Sequence, residues 1–338
     1  VHAGMFPATE GAMRYLIEFL KAAAAALLAV HAASAVAQHD DYPSKPVAFV
    51  VGYQPGGSTD LAARIVARDL STAIGKPVVV ENRPGAGSNI AGALVAKSAP
   101  DGYTLFVAAG ALATNPSLYA TMPFDPAKDL VPVIELVSLP NVIVVNPEVP
   151  ARDIRELIAF AQANPDKLTC ASSNPGSTGH LTCEMFVQET GVRMVQVQYK
   201  GSSGAVADLL GGHVDVLFDQ IPASLEHIRS GKLRALAVTS PQRNVNLPEV
   251  PTVDEAGLPG FYSNTWAAIF APAGTPSEII ARLNREMARI LAGPEVRERL
   301  EAMGMEPVGG SPEQMAEVLR DDTAKWAAVI TKGDIKLR

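Results

Sequence analysis

The sequence predicts an α/β fold arranged as two lobes. Its 338 residues exceed the roughly 250 residues at which a single hydrophobic core usually stops growing. From residue 42 onward, short β-branched runs alternate with longer stretches of helical period, a pattern typical of βαβ units and a mostly parallel sheet. We predict one lobe from residues 42–138 and 265–338, and a second lobe from residues 139–264 inserted between them.

The first lobe begins with an apolar run at residues 47–51, which predicts a buried strand. Ala62, Val66 and Leu70 then recur at four-residue spacing, and the predicted helix ends near Gly75. The further elements of this part are a strand at 77–80, a tight turn at 85–89, a helix at 90–97 and a strand at 104–108.

The inserted lobe shows the same alternation. Strands are predicted at 142–145, 168–171, 195–198, 214–218 and 235–238, with helices at 153–163 and 181–189 and further helices between the later strands. The first lobe then resumes with a strand at 265–270, followed only by helices that open with capping boxes at 275–278 and 311–314. Because the chain crosses between the lobes twice, near 136–141 and 263–270, we expect a hinge.

Composition and motifs exclude several classes of function. Apolar residues make up 48% and charged residues 19% of the chain, which excludes a collagen, a disordered tail and a membrane bundle. The net charge is −7 and no long run of Lys or Arg is present, so nucleic acid is not an expected partner. The sequence has no Walker A, HExxH or G-x-S-x-G motif, and we predict no metal, no cofactor and no catalytic site.

Residues 1–37 have the layout of a secretory signal peptide. Basic residues precede an apolar stretch, and the small-residue run at 35–37 forms a cleavage pattern before Gln38. The alternative is a membrane anchor, but the stretch 22–37 has 16 residues, whereas a spanning helix needs about 20. We therefore predict export of the chain that follows.

Two cysteines, Cys170 and Cys183, lie in the exported part. An oxidising compartment permits a disulfide when the two Cα atoms come within bridging distance, which spacing along the chain does not show. The sequence leaves two alternatives open at this point, a disulfide between the two residues or two small buried thiols.

Two loops that lead from a strand to a helix are the predicted binding elements, because ligands of open α/β sheets lie beyond the carboxyl ends of the strands. The run Tyr-Gln-Pro-Gly-Gly-Ser-Thr-Asp at 53–60 has glycines that let the backbone approach a ligand, and Ser58 or Thr59 is expected to cap the helix. The run 172–180 supplies a second set of small hydrogen-bonding residues. Free amides at both helix starts favour an anion.

Six segments together carry a resemblance to one protein family. They are Tyr-Pro-Ser-Lys-Pro at 42–46, Pro-Gly-Gly-Ser-Thr-Asp at 55–60, Val-Glu-Asn-Arg-Pro-Gly-Ala-Gly at 80–87, Ala-Pro-Asp-Gly-Tyr-Thr at 99–104, Asn-Pro-Ser-Leu-Tyr at 115–119 and Gly-Lys-Leu-Arg-Ala-Leu-Ala-Val at 231–238. This combination closely resembles the Bug receptors, the substrate-binding proteins of tripartite tricarboxylate transporters. The resemblance extends from residue 42 to residues 335–337.

The resemblance implies a periplasmic binding-protein fold of the type with two crossover strands and a ligand cleft between the lobes. It implies a non-enzymatic, periplasmic receptor, expected to be a monomer, that captures a small carboxylate-bearing solute. Membrane transporter subunits supplied by other chains would receive that solute. Residue by residue, the ligand contacts it implies are Tyr53, Gly57, Ser58, Thr59, Asp60, Ser172, Gly176, Ser177, Thr178, His180, Gly201 and Asp219.

Two departures from the family pattern touch the predicted cleft. Tyr53-Gln54 stands where Phe-Pro is commoner, and Asn174-Pro175 stands where a glycine-rich run is usual, so a relative's ligand cannot be transferred to this chain. The carboxylate of Asp60 is expected to accept a hydrogen bond from a ligand ammonium, a hydroxyl or water, because it would repel an adjacent anion. An enzyme is the second interpretation and an interaction module the third, and an enzyme would need a nucleophile beside a base, or a metal.

Overall fold

A computed structural model describes residues 42–173, 175–199 and 201–337, and the predicted leader lies outside them. Residues from Lys45 to the C-terminus form one compact unit of mixed helices and strands, so the predicted α/β class is confirmed. Within the described residues, no helix combines the length and the apolar character needed to cross a bilayer.

The first part of this unit alternates strands and helices as the sequence predicts. Its elements are β1 Val47–Val51, α1 Ser58–Ile74, β2 Val78–Asn82, a 3-10 turn at Ala86–Ser88, α2 Asn89–Ala96, β3 Thr104–Ala109, α3 Ala111–Leu118 and α4 Pro126–Asp129. Helix α1 buries Ala62, Val66 and Leu70 on one face and ends where Gly75 takes a left-handed conformation, with φ of 67°. The short helices α3 and α4 were not predicted, and Pro116 inside α3 hides its helical character.

A long strand leads into the second series, and helices close the chain. These elements are β4 Leu130–Val145, α5 Ile154–Ala163, β5 Thr169–Ser172, α6 Thr178–Thr190, β6 Val195–Gln198, α7 Ser202–Leu210, β7 Val216–Gln220, α8 Ile221–Arg229 and β8 Arg234–Val238. They are followed by β9 Asn264–Pro272, α9 Ser277–Ala292, α10 Pro294–Ala302, β10 Glu306–Gly309 and α11 Pro312–Lys332. Strand β10 contradicts the expectation that only helices follow residue 270, and it forms through pairing with the edge of β4.

The ten strands found in the described residues belong to one sheet, in which β4 has a central place. The order is β2-β1-β3-β9-β4-β7-β5-β6, and β8 and β10 also pair with β4. Strand β1 runs parallel to β2 and β3, and β5 runs parallel to β6 and β7. Strand β4 runs antiparallel to β7, β8, β9 and β10, and β9 runs antiparallel to β3, so the prediction of a mostly parallel sheet is wrong and the sheet is mixed. Residues 130–140 of β4 pair with β9, whereas residues 141–145 pair with β7, so the chain passes from one group of strands to the other within β4.

The extent of β4 was predicted wrongly. The strand has 16 residues, and only its last four were predicted, because Pro132 and Pro140 argue against a strand by removing ladder donors. In the structure the ladder with β9 shifts register between Pro132 and Ile134 and again between Glu135 and Val137. Such irregularities accommodate a proline and bend the strand without ending it.

The two predicted capping boxes have different outcomes. At the start of α11 the Ser311 side chain accepts from the N–H of Gln314, and the Gln314 side chain accepts from the N–H of Ser311, so this box is confirmed. The box at 275–278 is wrong, because Pro276 is the N-cap residue and α9 begins at Ser277. The Thr275 hydroxyl donates instead to the carbonyl of Pro272, at 2.7 Å.

Close packing of α6 on β7 sets the position of the second predicted loop. Gly179, in the first turn of α6, lies directly against the backbone of β7, and a Cβ atom there would overlap the carbonyl oxygen of Phe218. Phe186 of α6 packs on Phe218 with ring centroids 5.5 Å apart. These contacts fix the start of α6 beside the carboxyl end of β7.

Candidate functional site

A cavity of about 370 Å³ lies beyond the carboxyl ends of β1, β3, β5 and β7. Residues from the first part of the fold that line it are Tyr53, Gly57, Ser58, Thr59, Ala109, Gly110, Ala111, Thr114, Leu139, Thr265 and Trp266. Residues from the second part are Ser173, Gly176, Ser177, Thr178, Ser202, Asp219 and Gln220. Both predicted loops therefore meet in one cavity, as the strand-end rule leads one to expect.

Five helices begin at the wall of this cavity. They are α1 at Ser58, α3 at Ala111, α6 at Thr178, α7 at Ser202 and α8 just after Gln220. The first N–H groups of a helix have no partner within the helix, and the helix dipole makes that end electropositive. The cavity wall therefore presents backbone donors from several directions, which suits an anion.

Helix α1 begins without a side-chain cap, which corrects the expectation that Ser58 or Thr59 caps it. The N-cap residue is Gly57, in an extended conformation, and no side chain of the described residues accepts a hydrogen bond at this helix start. Ser58 and Thr59 are instead the first two residues of the helix. Their N–H groups are left for a partner in the cavity, because the hydroxyls that would cap them are already inside the helix.

Asp60 does not line the cavity and is occupied by protein partners. Its Oδ2 accepts from the backbone N–H of Gly56 and from Arg64 Nε, both at 2.9 Å, and its Oδ1 accepts from Asn82 Nδ2 at 2.8 Å. Burial raises the pKa of Asp60, but these hydrogen bonds together outweigh burial and hold the pKa below its usual value. The expected hydrogen bond to a ligand is therefore not supported, and Asp60 instead shapes the glycine loop.

The loop before α6 is held by its own side chains. Ser177 is the N-cap residue, and its hydroxyl accepts from the N–H of His180 at 3.2 Å. The Nδ1 atom of His180 accepts from the N–H of Gly176 at 3.1 Å, and its Nε2 atom faces Gln198 at 3.0 Å. Burial lowers the pKa of His180, so the ring is neutral at neutral pH. His180 thus supports the loop from behind and is absent from the cavity wall.

Three further residues of the second part have distinct places. Asp219 lines the cavity and is 3% exposed, and its Oδ1 accepts from the N–H of Gln220 at 2.8 Å. Ser172 is fully buried behind the wall, and the N–H of Gly201 donates to the carbonyl of Ser173 at 2.6 Å. The structure thus brings Asp219 into the site. Ser172 and Gly201 form backbone hydrogen bonds next to it, Ser172 through its carbonyl to the Tyr199 N–H and Gly201 through its N–H to Ser173.

Cys170 on β5 and Cys183 on α6 are paired as a disulfide in the structure. Both residues are fully buried. The bridge ties the strand before the second loop to the helix after it, so the loop is closed at both ends.

Formal charge is nearly absent from the cavity wall. Among the described residues that line it, none is Lys, Arg or His, and Asp219 is the one carboxylic acid. Burial raises the pKa of the Tyr53 phenol, which is therefore neutral. Arg83 pairs with Glu81 at 3.1 Å, has a side chain 55% exposed and lies outside the wall. Elsewhere in the described chain, no group of three or more His, Cys, Asp or Glu side chains is placed to hold a metal ion.

A larger cavity of about 1030 Å³ adjoins the first and shares part of its wall. Both cavities are lined by Tyr53, Ala111, Gly176 and Ser177. Leu337, the last residue that the structure describes, also lines the larger one and lies beside the loop at Gly176. The larger cavity therefore extends from the site toward the end of the chain.

Several residues that line the cavity were not predicted from the sequence. The start of α3, at Gly110 and Ala111, follows β3 as the predicted loops follow β1 and β5, so the strand-end rule applied to the strand at 104–108 would have found it. Ser202 and Gln220 also lie at strand-to-helix connections. Thr265 and Trp266 carry no such signal, because they reach the site through the antiparallel placement of β9.

Comparison with known proteins identifies the family of this chain. Residues 62–335 match the model of the tripartite tricarboxylate transporter family receptor. The protein BugT of Bordetella pertussis (strain Tohama I) is 42% identical over 301 residues, covering 88% of this chain and 92% of BugT.

Two solved structures are similar over nearly their whole length. R. palustris Rpa4515 with adipate gives a TM-score of 0.77 at 39% identity and covers 88% of this chain and 100% of that one. The periplasmic binding protein BugD gives a TM-score of 0.72 at 35% identity, with the same coverage of 88% and 100%. Sequence and fold agree along the same residues, and the chain belongs to the receptor family of tripartite tricarboxylate transporters.

Proposed function

We propose that this chain is an exported, non-enzymatic receptor that holds a small carboxylate-bearing solute in the 370 Å³ cavity and delivers it to membrane subunits supplied by other chains. The observation that carries the proposal is the wall of helix starts. Of the five helices that begin there, α1, α3, α7 and α8 have no side-chain cap from the described residues. The first N–H groups of a helix need a partner outside the helix, and a carboxylate supplies several acceptor positions at once.

The relatives support the choice of an anionic solute. One similar structure contains adipate, whose two ends are carboxylates, and its chain aligns with 88% of this one. The absence of Lys, Arg and His from the described cavity wall makes backbone donors and hydroxyls the available partners.

The two parts of the fold are proposed to move as lobes, 42–138 with 265–338 against 139–264. Support comes from β4, whose partner changes from β9 to β7 at residue 141, so few backbone connections join the parts. Across the cavity, the Ser58 hydroxyl lies 3.5 Å from Gln220 Oε1. A ligand that contacts both walls would shift the population toward a closed form. Small-angle scattering with and without saturating ligand should show a smaller radius of gyration with ligand, and identical curves would contradict a hinge.

Mass spectrometry of the small molecule that copurifies with the exported protein is the most direct test of the solute. A carboxylate should be recovered, and its addition to ligand-free protein should raise the melting temperature. Prolonged incubation should return the same molecule unchanged, whereas turnover would establish an enzyme. N-terminal sequencing of exported material should begin at Gln38, and retention of residues 22–30 would contradict the proposed leader. Sedimentation should give a monomer.

A further inference from the structure

Asp219 is an acid in a cavity otherwise suited to an anion. The residue is 3% exposed, at the carboxyl end of β7. Its Oδ1 is fixed by the N–H of Gln220, and no donor of the described residues makes a well-oriented hydrogen bond to Oδ2. A buried acceptor without a partner is costly, and a ligand group that reaches it would remove that cost.

The surroundings of Asp219 disfavour a ligand cation. Helix α8 begins at Ile221, two residues after Asp219, and α7 begins at Ser202, which lines the same wall. Both helix ends are electropositive and repel an ammonium group. An ionised ligand carboxylate at Asp219 is equally unfavourable if Asp219 is itself ionised, because two like charges in one buried site disfavour each other.

We propose that Asp219 binds a second carboxyl group of the ligand and that the two carboxyls share one proton, so that this receptor selects dicarboxylic acids. The inference rests on the proposed function, in which the first carboxylate occupies the helix starts. A proton from solvent converts the repelling pair into a charge-assisted hydrogen bond, in which one carboxyl donates to the other. The donor that satisfies Oδ2 is then the ligand or Asp219 itself.

The environment of Asp219 agrees with this arrangement. Burial raises the pKa of its carboxyl, and the nearby Ser202 hydroxyl, the Gln220 N–H and the nearby Ser173 hydroxyl offset only part of that effect. The ionisable side chains on the helices that begin at this wall are Asp60, Arg64, Arg68 and Asp69 on α1, His180, Glu184 and Glu189 on α6, Asp208 on α7, and Glu226, His227 and Arg229 on α8, and Tyr53 lies in the loop before α1. Among the described residues, no charged side chain contributes to the shift at Asp219. Proton uptake is therefore assigned to this carboxyl.

The sign of the pH dependence follows from linkage. The bound ligand carboxyl raises the pKa of Asp219 further, so the complex holds more protons than the free protein. Affinity is highest below the pKa of the free protein and falls as the pH rises to the pKa of the complex. Within that interval we expect a loss of about tenfold in affinity per pH unit for one linked proton.

Titration calorimetry with unbranched dicarboxylates from succinate to adipate tests the proposal. Measurements are made above the pH range in which the free acids titrate, in buffers of different ionisation enthalpy. Binding enthalpy should vary with buffer in the sense of proton uptake for a dicarboxylate. Hexanoate, which matches adipate in length but has one carboxylate, should show weaker binding without uptake.

The Asp219→Asn variant should bind the same dicarboxylate without proton uptake and with an affinity that does not change with pH, because an amide donates without titrating. The matched control is Glu306→Gln. Burial also raises the pKa of Glu306, but its carboxyl bonds Asn244 and lies outside the cavity wall. This variant should keep the wild-type proton uptake. If Asp219→Asn does not fold, the buffer series on wild-type protein still counts the protons.

Each contrary result has a distinct meaning. Dicarboxylate binding without proton uptake, or equal binding of hexanoate, overturns this inference and leaves the proposed function intact. Loss of binding at every pH in a folded Asp219→Asn protein also overturns it, since Asp219 would then act as an ionised acceptor. Failure of wild-type protein to bind any of these carboxylates overturns the proposed function itself.

Discussion

The two walls of the cavity are built from similar sequence and held in different ways. The first wall, defined as residues 53–60, has a glycine N-cap and leaves the N–H groups at the start of α1 without a side-chain partner. The second wall, defined as the described residues of 172–180, has its helix start capped by Ser177 and its loop braced by His180. A disulfide further ties β5 to α6.

The difference indicates that the two walls have different roles, one in ligand binding and the other in the stability of the fold. The second wall satisfies much of its own hydrogen bonding, so its shape is fixed without ligand. The first wall relies on Asp60 behind the loop and leaves donors facing the cavity. Unmet donors at a helix start need water or a ligand. We therefore expect substitutions at the first wall to affect binding more, and substitutions at the second wall to affect folding more.

The largest effect is expected for Gly57→Val. Gly57 has φ of −76° and ψ of 164°, which valine adopts readily, and a Cβ atom would meet only Gln54 O at 3.8 Å. Valine is a poorer N-cap residue than glycine, so the variant should still fold, with a free energy of unfolding about 1 kcal/mol below wild type. Because Gly57 lines the cavity, the added side chain should abolish ligand-induced thermal stabilisation, measured with the copurifying carboxylate.

Arg83→Ala is the control for Gly57→Val. The Arg83 side chain is 55% exposed and paired with Glu81, so its removal should change affinity only modestly and mainly at low salt. If Arg83→Ala removed binding while Gly57→Val did not, the carboxylate would be held by a side-chain salt bridge instead of by helix starts.

The next largest effect is expected at the disulfide of the second wall. Intact mass before and after reduction and alkylation should show that Cys170 and Cys183 are bridged in exported protein. Their sequence separation is 13, and closing a loop of that size contributes about 3 kcal/mol to the free energy of unfolding. Urea denaturation of the Cys170→Ala, Cys183→Ala double variant should show that loss. Two thiols alkylated without reduction would rule out the bridge.

Asp60→Asn should weaken folding by about 1–2 kcal/mol, because the Gly56 N–H and the Asn82 side chain lose the charged acceptor that the buried Asp60 carboxylate supplies. The pKa of Asp60 is lowered by folding, so its contribution is present above the carboxyl's ordinary pKa and is lost as the pH falls through the lower folded value. The difference from wild type should therefore shrink in acid denaturation. Unchanged stability together with lost ligand affinity would instead place Asp60 in contact with the ligand.

The smallest effect is expected from paired hydroxyl deletions. Ser177→Ala removes the cap of α6 and should lower the free energy of unfolding by about 1 kcal/mol. Ser58→Ala removes no cap, because Gly57 holds that position, and should change stability by less than about 0.5 kcal/mol. Chemical denaturation of both variants decides the comparison. Equal losses would mean that the two walls are held alike.

Sequence patterns predicted most elements to within a few residues. The buried run at 47–51 matches β1, and the helix predicted at 153–163 matches α5, which the Asp153 side chain caps. The errors concern β4, which contains prolines, and β10, which has only four residues. Neither sequence has the pattern that predicts a strand. These segments form strands because they pair with residues far away in the sequence. Hydrophobic periodicity and intrinsic β-propensity carry no information about such long-range pairing.

The sequence by itself determined the α/β class, the family and the two loops that meet at the cavity, because these depend on local period, turn residues and motif. The tertiary structure alone decided which polar groups face the cavity. It turned Asp60 and His180 toward protein partners and gathered five helix starts around Asp219. Sequence spacing sets the order of side chains along a helix, but burial and hydrogen-bond partners depend on the elements packed against it.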